Sequence, residues 1–217
     1  MEWHDLSHRI DEDVVRLPFL PAPRFAPLDE PLLAATELTM ATHAGTHVEA
    51  PRHRFPDGNG IDAYPLDRFV GEGVVWAPAV EAREPVTRDQ VESVADRIAP
   101  GDALIVHTGW AAHAGTDRYE DHPYLTGDAA AALADCEPSW IGFDAPTPEA
   151  PGDVATGETE FPVHTALLGA DVLVAENLTN TGALAGERIE VVATPLALAD
   201  CDASPVRVAA RPVARID

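Results

Sequence analysis

Helix-type and strand-type patterns alternate between Thr87 and Glu176, and this alternation restricts the fold of the chain more than any other feature. The segment TRDQVESVADRI predicts a helix, because Thr87 is a suitable N-cap and Gln90 completes a capping box. Further helices are predicted in TGDAAAALADC and FPVHTALLGA, and buried strands in GDALIVHT, PSWIGFD and ADVLVAEN. Such alternation is typical of α/β folds.

The two ends of the chain favour strands. The proline-rich segment RLPFLPAPRFAPLDEP predicts an extended, ordered loop after a short first strand. Strand patterns follow in GEGVVWAPAV, ERIEVVATPLAL and SPVRVAARPVA. No internal repeat or composition break divides the chain. We therefore expect one α/β domain over residues 1–217, with a mixed β-sheet and flanking helices.

The charge balance excludes two classes of partner. All 14 basic residues are arginine, and 37 acidic residues give a net charge of −23. Nucleic acid and anionic lipid both require positive neutralising charge, so neither is expected to bind. Adaptation to high salt would explain the acidic excess; a GC-rich genome that favours Ala, Arg and Asp is the alternative. The acidic N-terminus does not resemble a signal peptide, and no apolar run reaches the roughly 18 residues of a membrane span, so we expect a cytoplasmic location.

The segment MATHAGTHVEAPRH concentrates three histidines and one carboxylate, His43, His47, Glu49 and His53. Gly45, the threonines and Pro51 disfavour a helix here. The separations of 4, 2 and 6 residues are all even, so an extended segment would place all four side chains on the same side. The sequence therefore predicts a metal site, and a solvated strand face with chance histidines is the alternative.

A second pair of candidate ligands lies more than a hundred residues later. His164 is at the start of a predicted helix, and Glu176 ends a predicted buried strand. Strand ends are where α/β folds usually build their sites, although both residues could also simply face water. A set of histidines and carboxylates suits zinc or manganese rather than an ion that prefers thiolates.

The motif and its surroundings resemble those of the cyclase-like metal-dependent hydrolases, the family that contains bacterial kynurenine formamidase and isatin hydrolase. The hallmark of that family is HxGTHxDxPxH, and HAGTHVEAPRH matches it except at one position. The similarity continues, in order, through DLSHRI, GIDAYPLDRFVG, DALIVHTGW, HPYLTGDAAAAL, WIGFDAPTPE and VHTALLGADVLVAENL. It implies a swivelling β/β/α-like fold for nearly the whole chain.

The resemblance also implies roles for individual residues. His43 and His47 would bind one metal ion, with Glu49 in the place of a bridging aspartate, and His164 and Glu176 would complete a site for one or two ions. A metal-bound hydroxide would attack a small amide, either an aryl formamide such as N-formylkynurenine or a cyclic amide such as isatin. His53 would be the general acid/base. Members of this family are commonly oligomers, so we expect a homodimer or homotetramer.

Two departures from the family pattern bear on activity. Glu49 replaces Asp, which moves the carboxylate outward by roughly one bond length, ~1.5 Å. Kynurenine formamidases carry a Trp-Pro-Gly segment that touches substrate, whereas this chain has Leu17-Pro18-Phe19, with Phe19 as a candidate substrate-binding residue. Two alternative functions therefore remain: a metal-dependent cyclase or dehydratase, and a catalytically silent metal-binding homologue.

Overall fold

A mixed nine-stranded β-sheet organises the computed structural model, which describes residues 2–152 and 161–213. The bounds of the strands in the described residues are β1 His4–Asp5, β2 Arg24–Pro27, β3 Thr36–Thr39, β4 His47–Glu49, β5 Val70–Trp76, β6 Pro85–Val86, β7 Ala103–Val106, β8 Tyr124–Leu125, β9 Trp140–Phe143, β10 Leu173–Glu176, β11 Arg188–Val192, β12 Ala203–Pro205 and β13 Ala209–Pro212. The order in the nine-stranded sheet is β1-β13-β11-β5-β7-β9-β10-β4-β12, while β2 pairs with β3 and β6 pairs with β8 outside it. Strands β5, β7, β9 and β10 run parallel in the centre, and antiparallel strands extend the sheet on both sides.

In the part of the chain that the structure describes, three α-helices cover one face of this sheet. They are α1 Arg88–Glu92, α2 Gly127–Ala134 and α3 Pro162–Gly169. The capping box predicted for α1 is present, and Thr126 caps α2 as predicted. Successive residues of the central strands alternate between two cores, so Val74 packs with the helices while Val75 packs on the other face. The predicted α/β class with a mixed sheet and flanking helices is thereby confirmed.

Two end segments differ from their predictions. The proline-rich stretch predicted to be a loop contains β2, which pairs with β3 in a separate two-stranded hairpin. SPVRVAARPVA, predicted as one strand, is divided between β12, which is an edge strand, and β13, which lies beside the other edge strand, β1. The division places Pro205 opposite His47 and Ala210 opposite His4.

Within the described residues, the structure has no helix that is both long enough and apolar enough to cross a membrane.

Candidate functional site

The floor of the site is the pairing between β4 and β10. His47 and Glu49 alternate to the same face of β4, and the antiparallel register places Glu176 directly opposite His47. All three side chains are buried. The Nδ1–H of His47 donates to the carbonyl oxygen of Gly45 at 2.8 Å, so its Nε2 faces Glu49 and Glu176, each at 3.4 Å.

His43 and His53 reach the same place by a route that the sequence reading missed. We predicted one extended segment from His43 to His53, and this prediction is wrong because only His47–Glu49 forms a strand. Gly45 has φ +66°, a left-handed conformation that turns the chain between His43 and His47. Pro51–His53 forms a 3₁₀ helix, which turns His53 back over the end of β4. The four side chains converge through a turn and a helix, not through strand alternation alone.

His164 arrives from the first turn of α3. Its Nδ1–H donates to Glu149 Oε1 at 2.8 Å, and the same oxygen accepts from the backbone N–H of His164 at 2.8 Å. Glu149 also accepts from the N–H of Val163, so this buried carboxylate satisfies free amides of the helix terminus and orients the imidazole. The sequence reading did not assign a role to Glu149, because its contact with His164 depends on tertiary structure.

Glu49 lies between His43 on one side and His164 on the other. Its Oε1 is 2.9 Å from His43 Nδ1, and its Oε2 is 3.0 Å from His164 Nε2. Although glutamate is one methylene longer than aspartate, its carboxylate contacts both His43 and His164. Glu176 links the same two sides, since its oxygens lie 3.4 Å from both His47 Nε2 and His164 Nε2.

Electrostatic interactions in the cluster shift the pKa values of His43, His47 and Glu49 away from their ordinary values. Burial alone would lower the pKa of His43, but hydrogen bonds to Asp202 and Glu49 raise it to about 10. Burial has the same effect on His47, whose pKa is raised to about 9 by Glu176 and Glu49. Burial would raise the pKa of Glu49, yet the charges of His53 and His164 hold it well below its usual range. The carboxylates therefore remain ionised and attract protons or another cation.

The donor set fits a divalent cation. Glu49 Oε2 and His164 Nε2 are fully buried, and although they lie 3.0 Å apart, neither has a partner with the geometry of a hydrogen bond among the residues that the structure describes. Buried polar atoms without a hydrogen bond are costly, and a shared cation would satisfy both. Two sets of three residues could each hold an ion, because the potential ligand atoms within each set all lie within 4.8 Å of one another. The sets are His43, Glu49 and His53, and His47, Glu49 and Glu176, so Glu49 belongs to both. Nitrogen and oxygen donors of this kind suit zinc or manganese.

A cavity of about 440 Å³ opens above this cluster. Its outer wall comes largely from the N-terminal loop, with Val14, Val15, Leu17 and Phe19 among its apolar residues. Phe19 is 69% exposed and lines the cavity, and its role in substrate binding stays a prediction. Phe161, at the start of α3, also lines the cavity, together with polar residues such as Arg16 and Glu120.

Asp202 is a second residue that the sequence reading missed. Its Oδ2 lies 2.8 Å from His43 Nε2 and 3.2 Å from His53 Nδ1. The residue immediately precedes β12, and β12 pairs with β4 over a separation of about 150 residues. No local motif marks it, so the sequence alone could have indicated it only through the strand pairing.

Comparisons with known proteins agree with this geometry. The Cyclase family model matches residues 4–150. The kynurenine formamidase of Salinibacter ruber (strain DSM 13855 / M31) is 33% identical over 183 residues, which cover 84% of this chain and 82% of that protein. A solved structure described as a potential metal-dependent hydrolase with cyclase activity is 26% identical, with 96% of each chain covered and a TM-score of 0.81. Isatin hydrolase A from Labrenzia aggregata, bound to benzyl benzoate, is 25% identical, with 96% of this chain and 93% of that chain covered and a TM-score of 0.82.

Proposed function

This chain belongs to the Cyclase family, and on that premise we propose that it is a metal-dependent hydrolase of small amides. The observation that carries the proposal is the convergence of candidate ligands from separate segments at the base of one cavity: His43, His47, Glu49, His164 and Glu176. The similarity to a kynurenine formamidase and to an isatin hydrolase supports cleavage of a C–N bond outside peptides.

The five converging residues would hold the metal, and we propose zinc or manganese, as one or two ions. Glu49 contacts His43 through one oxygen and His164 through the other, so it would be a ligand whichever of these histidines held an ion. A divalent ion bound there would act as a Lewis acid that polarises a carbonyl and acidifies water. Hydrogen bonds from His47 to Gly45 and from His164 to Glu149 fix which ring nitrogen each histidine presents.

His53 is placed to move protons. Its side chain is 35% exposed, more than any of the ligand histidines, and it lines the cavity beside the ligand cluster. The Nε2 atom lies 3.7 Å from Glu49 Oε1, on the side of the ring that faces the cluster. In amide hydrolysis this atom would accept a proton from the attacking water and return it to the departing nitrogen, so that His53 ends in its starting state.

The cavity supports an aromatic substrate. Its walls carry the apolar side chains of Val14, Leu17, Phe19 and Phe161 beside polar ones such as Arg16 and Glu120. A volume of about 440 Å³ is within the usual range for small-molecule sites. We propose an aryl formamide such as N-formylkynurenine or a cyclic amide such as isatin, with the ring against Phe19 and the amide over Glu49.

The test is metal analysis of the purified protein followed by assays with N-formylkynurenine and with isatin. We expect stoichiometric zinc or manganese and hydrolysis of at least one substrate, lost with a chelator and restored by the metal. Failure of the metal-loaded protein to hydrolyse any amide, lactam or lactone at low or high salt would overturn the proposal.

We further propose that the protein is a homodimer or homotetramer that is adapted to high salt. The hairpin formed by β2 and β3 has no buried residue, yet it carries the partly exposed Phe25 and Leu38 on opposed positions. A two-stranded hairpin is marginally stable alone, so a second subunit would stabilise it. Light scattering after size-exclusion chromatography tests this: a monomer at assay concentration contradicts it.

A further inference from the structure

One carboxylate outside the ligand cluster contacts both a candidate ligand and the candidate general acid/base. Asp202 Oδ2 lies 2.8 Å from His43 Nε2 and 3.2 Å from His53 Nδ1, and its Oδ1 accepts from the Thr42 hydroxyl at 3.1 Å. An aspartate is ionised at neutral pH, because its ordinary pKa is about 3.9. An ionised carboxylate can only accept hydrogen bonds, so both ring nitrogens that face it must donate.

This requirement determines the tautomers of both histidines. His53 must carry a proton on Nδ1, which leaves Nε2 toward Glu49. His43 must carry a proton on Nε2, which leaves Nδ1 at 2.9 Å from Glu49. In each ring, the nitrogen that faces the cluster is therefore the one able to accept a proton or bind a cation.

The backbone around Asp202 is fixed independently of its side chain. The N–H of Ala50 donates to the carbonyl oxygen of Asp202 at 2.8 Å, next to the pairing of Ala203 with Glu49. Arg52 donates to the backbone carbonyl oxygen of Asp200 at 3.0 Å, a contact that does not require the Asp200 side chain. Asp202 is thus held at a constant distance from β4, which carries His47 and Glu49.

We propose that Asp202 is a positioning residue that orients His53 for proton transfer and His43 for metal binding through one carboxylate. This inference rests on the proposed hydrolase function for its kinetic part. When His53 Nε2 accepts the proton of the attacking water, the ring becomes a cation, and Asp202 stabilises that cation through Nδ1–H. The proton then passes from Nε2 to the nitrogen of the breaking C–N bond, and Asp202 remains ionised throughout.

The kinetic test compares D202N with the matched control D200N in zinc-loaded protein. Asp200 lies in the same loop but is exposed and pairs only with Arg52 among these groups. Formanilide has a poor leaving group and 4-nitroformanilide a better one, so loss of proton delivery should slow formanilide more. We expect D202N to lower kcat for formanilide by about 100-fold with a much smaller loss for 4-nitroformanilide and little change in KM. D200N should behave as wild type on both.

A second measurement does not depend on turnover. The ¹⁵N chemical shifts of the ring nitrogens report the tautomer of each histidine, and wild-type His53 should be protonated at Nδ1. In D202N and in D202A this preference should be lost, and zinc affinity should fall by about 10- to 100-fold. Two variants are used so that poor folding of one does not decide the result, with backbone NMR spectra confirming the fold.

The outcomes separate this inference from the proposed function. If wild-type protein cleaves no amide, the hydrolase proposal fails, while the tautomer and zinc affinity still test Asp202. If D202N retains the wild-type dependence on the leaving group, the His53 tautomer and the zinc affinity, Asp202 is not a positioning residue. An equal loss on both formanilides with an unchanged tautomer likewise overturns the inference.

Discussion

The carboxylate of Glu49 contacts two histidines from separate segments. Its Oε1 lies 2.9 Å from His43 Nδ1, and its Oε2 lies 3.0 Å from His164 Nε2. The family pattern has aspartate at this position, and the substitution raised the question of a silent site. The structure shows that the longer side chain is accommodated with both contacts present.

The first prediction concerns the length of this side chain. Glu49→Asp should lower kcat/KM by at least about 10-fold, because the carboxylate would withdraw by roughly one bond length, ~1.5 Å. Glu49→Gln should lower both activity and metal content further, because it removes the charge. The exposed Glu187→Gln is the control and should have no effect. A gain of hydrolysis in Glu49→Asp would indicate that the natural site is silent.

The second prediction follows from the raised pKa values of His43 and His47, about 10 and about 9. The ring nitrogens of these two histidines that face Glu49 therefore hold a proton more tightly than a free imidazole does, and a metal binds only a deprotonated nitrogen. Metal uptake must therefore release protons, and metal affinity should rise as the pH increases from 6 to 9. Calorimetric titration in buffers of different ionisation enthalpy measures the number released. A binding enthalpy that is independent of the buffer at pH 7 would contradict this prediction.

At the scale of elements, the parallel pairing of β5 with β7 is unusually close at Gly73. A Cβ built at Gly73 would lie 2.3 Å from the carbonyl oxygen of Ala103, whereas one at Gly71 in the same strand would meet no atom within 4 Å. The two glycines thus form a matched pair, and only Gly73 is required by packing.

The third prediction uses that pair. Gly73→Ala should decrease the free energy of unfolding by about 1–3 kcal/mol or more, because the strands must separate to admit the methyl group. Gly71→Ala should leave it unchanged within about 0.5 kcal/mol. Denaturant unfolding followed by circular dichroism measures both. Equal stabilities of the two variants would show that β5 and β7 are less tightly paired than the structure indicates.

The elements also show what the sequence could and could not predict. The central strands and the helices α1, α2 and α3 follow from periodicity and capping residues such as Thr87 and Thr126, because those signals are local. The prediction of one extended segment from His43 to His53 was wrong, because even spacing is compatible with a strand but does not show where it begins and ends. The strand is limited by the turn at Gly45 before it and by the 3₁₀ helix that begins at Pro51 after it. Local patterns therefore predicted the elements but not the turns between them.

The site divides in the same way. His43, His47, Glu49 and His53 belong to one motif, and the structure brings them together with the predicted His164 and Glu176. Glu149 and Asp202, which orient the histidines, were not assigned, because their contacts arise only from tertiary pairing. Residues that support a site without sharing its motif carry no local signal.

For the whole molecule, the dominant physical property is its net charge of −23. Among the described residues, several ion pairs use the few arginines, such as Arg207 with Asp5 and Arg211 with Glu190. Most acidic residues therefore repel one another across the surface. Added salt screens the repulsion between charges that lie further apart than about 10 Å at 0.1 M, and further apart than about 3 Å at 1 M.

The fourth prediction is a strong dependence of stability on salt. Raising KCl from 0.1 M to 2 M should increase Tm by on the order of 10 °C, because self-repulsion in the folded state is screened. Differential scanning fluorimetry measures the shift, and sucrose at equal osmolality is the control for effects other than screening. A Tm that does not change with KCl would refute salt adaptation.

The central proposal is that one metal centre, built from His43, His47, Glu49, His164 and Glu176, drives amide hydrolysis. It is tested most directly by titrating the metal-free protein with Zn²⁺ or Mn²⁺ while hydrolysis of N-formylkynurenine and isatin is followed in the same samples. We predict that the rate rises in proportion to the bound metal and reaches a plateau at one or two equivalents. Full metal occupancy without hydrolysis of either amide, or hydrolysis that is independent of bound metal, would contradict the proposal.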